Sequence, residues 1–198
     1  MLEFEIENEE RANGSRIICG VDEAGRGCLC GRVYAAAVIL PDAFCCPELD
    51  DSKKLSEKKR DKLFDIITNN AVSFGIGFAE VDEIENINIL NAAMLAMKRA
   101  VDNLDMKVDI ALIDGNMSRG FDCRTRTVVK GDSISPSIAA ASVLAKVSRD
   151  RYIYELAKLY PVYGFEKHKG YCTKAHVEAI KKYGPCKIHR PSFLKKIC

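Results

Sequence analysis

The sequence predicts an α/β fold in which helices cover a mixed β-sheet, followed by a small helical tail. The order of its segments carries this prediction: strand-like runs come first, strands then alternate with helices, and helices come last. Apolar residues make up 47% and charged residues 29% of the 198 residues, which is typical of a globular protein of one domain, or of one domain with a small appendage.

Hydrophobic patterning and capping residues place the elements. Helices are predicted from Ser56, where the hydroxyl caps the first turn, from Asn88 to about Leu104, over 135–159 and from Thr173 to about Lys182. The strands are predicted at 16–21, 33–40, 71–81, 108–113 and 124–129.

Charge divides the chain into three parts. The first fifteen residues hold five glutamates and predict a flexible acidic arm over 1–15, before a main domain over 16–160. Residues 166–198 contain nine Lys or Arg and two Glu, so this segment carries +7 while the rest of the chain carries −5. A basic helical segment over 161–198 suits phosphate binding, although a solvated basic face explains the charge equally well.

Several classes of protein are excluded. The nine cysteines are odd in number and form no C-x-x-C pair, so neither a disulfide framework nor a zinc site is expected. The longest apolar run, 33–40, is too short to cross a bilayer, and the N-terminus lacks a secretory signal. We therefore expect a cytoplasmic protein with free thiols and no membrane contact. Without a heptad pattern or a large apolar face, it is expected to be a monomer.

Acidic residues follow three of the predicted strands. Asp22 and Glu23 end the first strand, Asp114 ends another, and Asp132 follows a third. Carboxylates gathered at one sheet edge repel one another, and hard divalent cations relieve that repulsion, so Mg²⁺ or Mn²⁺ is the expected metal. Two such ions roughly 3.5–4 Å apart can activate water and stabilise the leaving oxygen of a phosphodiester.

Two features qualify this interpretation. Each acid taken singly is better explained as a cap, a turn residue or a surface charge. Adjacent strand residues also point to opposite faces, so Asp22 and Glu23 can share a site only if the strand breaks at Glu23. The glycines at 25 and 27 favour such a break.

Two further patterns suit nucleic acid. In the turn Gly25-Arg26-Gly27, glycines allow close approach of the backbone to a ligand and Arg26 offers a planar cation to phosphate. The run 163–173 interleaves aromatic and basic side chains, as proteins that stack bases do, although its rings can equally dock on the core.

Taken together, six blocks resemble ribonuclease HII, the bacterial type 2 ribonuclease H. They are VDEAGRG (21–27), DSKKLS (51–56), IDGN (113–116), KGD (130–132), AAASVLAKVSRD (139–150) and HKGY (168–171). Their order and spacing extend from about residue 17 to 193, and six ordered blocks are far more specific than any one alone.

The resemblance implies an RNase H-like fold, with a mixed five-stranded sheet flanked by helices. It implies hydrolysis of the RNA strand of RNA/DNA hybrids and cutting 5′ to single ribonucleotides in duplex DNA, leaving a 5′-phosphate and a 3′-hydroxyl. The family's metal-binding acids fall on Asp22, Glu23, Asp114 and Asp132. Its 2′-hydroxyl sensor falls on Gly25, Arg26 and Gly27, and its substrate-sensing tyrosine falls on Tyr171.

Lysines would then track the phosphates of the duplex without reading its sequence. Those expected to do so are Lys53, Lys54 and Lys146, together with the basic tail.

The sequence departs from the family pattern beside the glycine turn. The family usually has Pro-Leu-Ala-Gly-Pro where this chain has CLCGR (28–32), and Cys172 replaces a common glycine. Loss of two prolines predicts a looser loop, and Arg32 adds a cation near the site. Ligation of a soft metal by Cys28 and Cys30, or their oxidation, is a minor alternative.

Three rival functions stay open at this stage. A junction resolvase and ribonuclease HIII share the fold, and fold alone does not separate them. Asp132 within KGD, together with Tyr171, favours ribonuclease HII, and ribonuclease HIII is expected to carry a large N-terminal domain. A non-catalytic hybrid-binding module is disfavoured, because an acidic cluster beside phosphate weakens binding.

Overall fold

A five-stranded mixed sheet forms the centre of the computed structural model, which describes residues 2–42, 44–50, 52 and 55–195. Its strands are Ile18–Ala24 (β1), Val33–Ile39 (β2), Ser73–Ala79 (β3), Ile110–Asp114 (β4) and Arg124–Val128 (β5). They lie in the order β3-β2-β1-β4-β5; β1, β2 and β3 pair antiparallel, and β1, β4 and β5 pair parallel. The predicted α/β class and five-stranded mixed sheet are confirmed.

Seven α-helices are described around this sheet and in the C-terminal part of the chain. They are Glu5–Ala12 (α1), Glu57–Asn70 (α2), Val81–Asp102 (α3), Pro136–Leu159 (α4), Phe165–His168 (α5), Lys174–Tyr183 (α6) and Pro191–Leu194 (α7). Short 3₁₀ turns occupy Gly131–Ser133 and Pro161–Tyr163. The predicted caps Ser56 and Thr173 accept hydrogen bonds from Lys59 and His176.

The apolar first half of α4 packs directly on β1 and β2. A Cβ atom at Gly20 of β1 would overlap the backbone of Ser137 and Ile138, so only glycine permits this approach. The alanine run 139–141 of α4 is fully buried and faces the small side chains of β2. This close contact fixes α4 across the strand that delivers Asp22.

The other face of the sheet is covered by α3, which begins at Val81 rather than at the predicted Asn88. Asn88 lies at a kink with φ 65°, and its side chain caps the second helical segment by accepting hydrogen bonds from Leu90 and Asn91. Gly75 and Gly77 of β3 allow α3 to approach closely, because Cβ atoms there would overlap carbonyl oxygens of α3.

The expected flexible arm over 1–15 is corrected by the structure, which folds residues 5–12 into α1. Glu7 of this helix is 1% exposed, and its Oε1 accepts hydrogen bonds from the hydroxyls of Ser135 and Ser137. Ser135 is the N-cap of α4 and Ser137 lies in its first turn, where the helix dipole favours a carboxylate. Glu7 therefore anchors α1 to the N-terminus of α4 through these hydrogen bonds.

The C-terminal segment packs against the loop between β1 and β2. Isolated bridges join Cys28 to Tyr171 and Cys30 to His189. Leu29, Ile153, Tyr163, Phe165 and other apolar side chains form a separate buried cluster there. Among the described residues, no helix combines the length and the apolar character needed to cross a membrane.

Candidate active site

Asp22 and Asp114 lie side by side near the C-terminal ends of two parallel strands. In the β1–β4 pairing, Val21 stands opposite Ile113, and the next residues along the two strands are Asp22 and Asp114. Parallel neighbours in register present their side chains on the same face. The pairing of β1 with β4 therefore brings together two acids that lie 92 positions apart in the sequence.

Asp22 is buried, with 4% of its surface exposed. Burial raises the pKa of Asp22 well above its usual value, and the neighbouring charges of Glu23 and Asp114 raise this pKa further. Hydrogen bonds from the Ser142 hydroxyl and the Glu23 N–H act in the opposite direction. An ionised Asp22 is thus costly in the protein alone, and a bound cation would relieve that cost.

Glu23 does not occupy a break in the strand, as the sequence suggested. β1 continues through Ala24, and Glu23 pairs with Ala35 of β2. Its carboxylate forms a 3.1 Å salt bridge with Arg26 of the glycine turn. Glu23 nevertheless contributes to the raised pKa of Asp22, so the two carboxyl groups share one electrostatic environment.

The loop that carries Asp132 is joined directly to Asp114. The backbone N–H of Gly131 donates a 2.7 Å hydrogen bond to Oδ1 of Asp114. Lys130 has φ 57°, in the left-handed region, and this conformation starts the 3₁₀ turn that contains Asp132. Asp132 is 5% exposed. The loop therefore returns to the end of β4, next to Asp114.

The chemistry of these four carboxyl groups suits a hard divalent cation. As the side chains stand, no three His, Cys, Asp or Glu residues of the described chain are arranged to hold a metal ion. Glu23 forms its salt bridge with Arg26, and one oxygen of Asp114 accepts from Gly131. The electrostatics of Asp22 fit a cation.

The glycine turn follows β1 immediately, and its two glycines serve different purposes. Gly25 has φ 99°, and a Cβ atom there would overlap the Nε and Cδ atoms of Arg149. Gly27 has no neighbouring atom within 4 Å of a built Cβ. Arg26 between them is half-exposed. The fold itself therefore requires glycine at 25 but not at 27.

Tyr171 and Lys146 lie together beside this turn. The Lys146 ammonium is 5.6 Å from the centre of the Tyr171 ring and forms a 2.8 Å salt bridge with Asp150. Tyr171 is 41% exposed, and its backbone bridges to Cys28. The predicted phosphate contacts Lys53 and Lys54 lie outside the described residues. Their neighbour Ser52 is buried.

The departures from the family pattern are accommodated by the surrounding structure. Arg32 is not a free cation near the site, because it forms a 2.6 Å salt bridge with Glu80 and its guanidinium lies 4.1 Å from the Phe78 ring centre. Cys28 and Cys30 are fully buried, and burial raises the pKa of both thiols. Raised pKa values disfavour the thiolate that ligates a soft metal. Cys172 is exposed.

Three residues that the sequence did not single out support the site. Ser142 of α4 donates to Asp22 and is joined at 2.8 Å to Ser52. Arg149 and Arg190 are fully buried behind the glycine turn. Ser142 and Arg149 lie inside the block 139–150 that resembles the family, but a serine in an alanine-rich helix and two of 30 Lys or Arg residues give no sign of these roles.

The family model for ribonuclease HII matches residues 19–196. The ribonuclease HII of Caldicellulosiruptor bescii is 52% identical over 194 residues, which cover 98% of this chain and 94% of the relative. Among solved structures, ribonuclease H2 from Pyrococcus horikoshii OT3 matches with a TM-score of 0.75 and 24% identity, over 92% of this chain and 97% of that one.

Bst-RNase HIII, solved in complex with Mn²⁺, matches with a TM-score of 0.65 and 17% identity, over 86% of this chain and 64% of that one. Both structural matches show the same fold, and the sequence match and the family model show the family. The chain belongs to the ribonuclease HII family and is a metal-dependent endoribonuclease that acts on RNA in RNA/DNA hybrids and on ribonucleotides in DNA.

Proposed function

We propose that this chain cuts duplex DNA on the 5′ side of a single embedded ribonucleotide, as well as the RNA strand of hybrids, and leaves a 5′-phosphate and a 3′-hydroxyl. The observation that carries this proposal is the placement of Asp22 and Asp114 at adjacent strand ends, with the glycine turn directly after β1. Acids and turn are thereby within reach of one phosphodiester and its ribose.

Asp22, Glu23, Asp114 and Asp132 are the proposed ligands of Mg²⁺ or Mn²⁺. The raised pKa of Asp22 supports this, because a cation would favour its ionised form. When bound, two such ions would supply charge neutralisation at the phosphate and an activated water. Bst-RNase HIII, with the same fold, was solved in complex with Mn²⁺. For Glu23, ligation requires that its carboxylate leave Arg26.

The glycine turn is the proposed sensor of the ribose 2′-hydroxyl, the group that distinguishes RNA from DNA at one nucleotide. Gly27 supports this role, because the space around it is open and the protein gives no reason for the missing side chain. A Cβ atom there would stand between the backbone and a ligand. Arg26, half-exposed at the tip, is the proposed contact to phosphate.

Tyr171 is the proposed selector of the RNA-to-DNA junction. Tyr171 is 41% exposed, and the Lys146 ammonium and the guanidinium carbon of Arg149 lie 5.6 Å and 5.8 Å from the centre of its ring. A ring packed on a deoxyribose leaves no room for a further 2′-hydroxyl. Cations beside it suit the flanking phosphates, which position the duplex.

The two parts of the chain have different proposed roles. The main domain over 16–160 would carry the catalysis, and the basic segment over 161–198 would contact the substrate. Lys53, Lys54 and Lys146 would track its phosphates. We propose that the enzyme acts as a monomer in the cytoplasm.

The test of this proposal compares Tyr171→Ala with Tyr183→Ala, a change at another exposed tyrosine of the basic segment. Rates are measured on duplex DNA with one ribonucleotide and on a long RNA/DNA hybrid, and the cleaved ends are mapped. Tyr171→Ala should lose roughly tenfold more rate on the single ribonucleotide than on the hybrid, while Tyr183→Ala leaves the ratio unchanged. Equal losses on both substrates would reject the junction role.

A further inference from the structure

Two arginines, Arg149 of α4 and Arg190 just before α7, are fully buried. The hydrogen bonds of their guanidinium groups within the described chain end on backbone carbonyls. The Nε of Arg149 and the Nη2 of Arg190 have no hydrogen-bond partner among the described residues. Burying a charge in this way costs stability. Their retention in the core therefore requires an explanation other than stability.

Arg190 donates hydrogen bonds to backbone carbonyls all along the segment from the glycine turn to the start of β2. Its Nη1 donates to the carbonyl oxygens of Arg26, at 3.1 Å, and Cys28, at 2.9 Å. Its Nε donates to the carbonyl oxygen of Gly31, at 2.9 Å. The backbone N–H of Arg190 donates to Leu29 in addition. One side chain thus fixes the path of the chain from the tip of the turn to the start of β2.

Arg149 lies against both the glycine turn and the ring of Tyr171. Its Nε and Cδ lie against the Cα of Gly25, where a Cβ atom would overlap them. Its guanidinium carbon is 5.8 Å from the centre of the Tyr171 ring. Its Nη1 donates at 2.9 Å to the carbonyl of Lys169, and its Nη2 reaches the carbonyl of Cys30 at 3.5 Å. Arg149 therefore connects the turn after β1 to the segment that carries Tyr171.

We infer that Arg149 and Arg190 are positioning residues that hold the glycine turn and Tyr171 at a fixed separation and thereby set the selectivity for an RNA-to-DNA junction. This inference rests on the proposed roles of the turn and of Tyr171. Reading two adjacent sugars requires two contacts at a constant spacing, and a planar guanidinium with several fixed donors maintains such a spacing. Misplacement by about 1 Å is enough to lower a rate by up to a hundredfold.

The experiment uses Arg149→Lys and Arg190→Lys in the full chain. Lysine keeps the positive charge but lacks the planar fork, so it cannot reach the same carbonyls together. The quantity measured is kcat/KM on duplex DNA with one ribonucleotide, divided by kcat/KM on a long RNA/DNA hybrid. Each variant should lower this ratio roughly tenfold, while cutting of the long hybrid is largely retained. If one variant fails to fold, the other carries the test.

Two controls separate positioning from loss of stability. Arg151→Lys changes a half-exposed arginine of α4, the helix that also carries Arg149. Leu63→Ala removes a fully buried side chain of α2 and so leaves a cavity in the core. Leu63→Ala should lower the melting temperature, and both controls should leave the ratio at the wild-type value. An unchanged ratio in both Arg149→Lys and Arg190→Lys would overturn the inference. If their melting temperatures also fall, as that of Leu63→Ala does, these arginines contribute to stability alone.

Failure of the proposed function gives a different result. If Tyr171→Ala leaves the ratio unchanged, the junction role of Tyr171 is rejected. A lowered ratio in the two arginine variants would then still support their positioning of the glycine turn, whereas an unchanged ratio would reject both ideas.

Discussion

The backbone N–H of Gly131 donates a 2.7 Å hydrogen bond to Oδ1 of Asp114, and this bond joins the loop of Asp132 to the end of β4. Asp114→Asn can keep an acceptor oxygen at that position, while it removes the charge and replaces the other oxygen with an amide NH2 group. We predict that this variant loses roughly a thousandfold or more in cleavage rate while its melting temperature stays near the wild-type value. The measurement is single-turnover cleavage together with thermal unfolding.

Asp114→Ala is the matched comparison, because alanine removes both the charge and the acceptor for Gly131. It should lose as much activity as Asp114→Asn and, in addition, about 1 kcal/mol or more of stability through the lost hydrogen bond. Equal stability of the two variants would contradict the structural role of this contact.

A second prediction concerns Asp22 and the removal of metal. A carboxyl group whose pKa is raised in the folded protein destabilises that state as pH rises from its unfolded pKa towards its folded pKa. Without divalent ions, Asp22→Asn should therefore be at least as stable as wild type at neutral pH. Mg²⁺ at about 100 times its Kd should stabilise the wild type by about 2.7 kcal/mol and Asp22→Asn by much less.

Thermal unfolding in chelator and in Mg²⁺ measures both effects. Asp22→Asn contradicts this prediction if it is less stable than the wild type in chelator and gains as much stability from Mg²⁺ as the wild type does.

A third prediction separates the two glycines of the turn. Gly27→Ala should leave the free energy of unfolding unchanged, because nothing lies within 4 Å of the added Cβ, and should lower cleavage roughly tenfold or more. Gly25→Ala should lose more than about 1 kcal/mol of stability through its positive φ and its overlap with Arg149. Urea unfolding and cleavage assays measure the two quantities.

Gly14 provides the control for Gly25. Its φ is 93°, close to the 99° of Gly25, but its surroundings are open. Gly14→Ala should therefore show only the backbone strain, and the difference between the two alanine variants gives the cost of the contact with Arg149. No difference would mean that the contact is not restrictive.

A fourth prediction concerns pH and the buried histidines behind Tyr171. The N–H of Cys186 donates to Nδ1 of His189, so the proton of His189 lies on Nε2, which faces Nε2 of His176 at 3.1 Å. His176 Nδ1 in turn donates to the carbonyl of Tyr171. Both rings are neutral in this arrangement, and burial lowers the pKa of His176 to about 4.

Because the folded pKa of His176 lies below its unfolded value of about 6.5, its contribution to stability is complete above pH 6.5 and is lost as pH falls towards 4. The loss should be on the order of 3 kcal/mol, at about 1.4 kcal/mol for each pKa unit. His176→Gln should show a shallower fall of the unfolding free energy in this window. If the unfolding free energies of wild type and variant fall in parallel as pH is lowered, His176 is not the cause of this pH dependence.

The sequence predicts the C-terminal end of β4 to within one residue, because the apolar run that finishes at Asp114 is a local feature. It predicts the end of β1 less well, since this strand continues past Asp22 to Ala24. It does not predict the sheet order, which depends on close contacts such as that of Gly20 with Ser137. Glu7 looked like part of an acidic arm, since its partners Ser135 and Ser137 lie far along the chain. Arg149 and Arg190 were missed for a related reason: charged residues are rarely buried, so burial is the last property expected of them.

Incubation of labelled duplex DNA that carries one ribonucleotide, with Mg²⁺ or Mn²⁺ present, tests the proposed cleavage and its metal site together. The wild-type protein is compared with Asp22→Asn, and an all-DNA duplex serves as the control substrate. We expect one nick, 5′ to the ribonucleotide, by the wild type only, with the all-DNA duplex intact and no nick in chelator. Absence of a nick with either ion, or a nick by Asp22→Asn at the wild-type rate, would contradict this expectation.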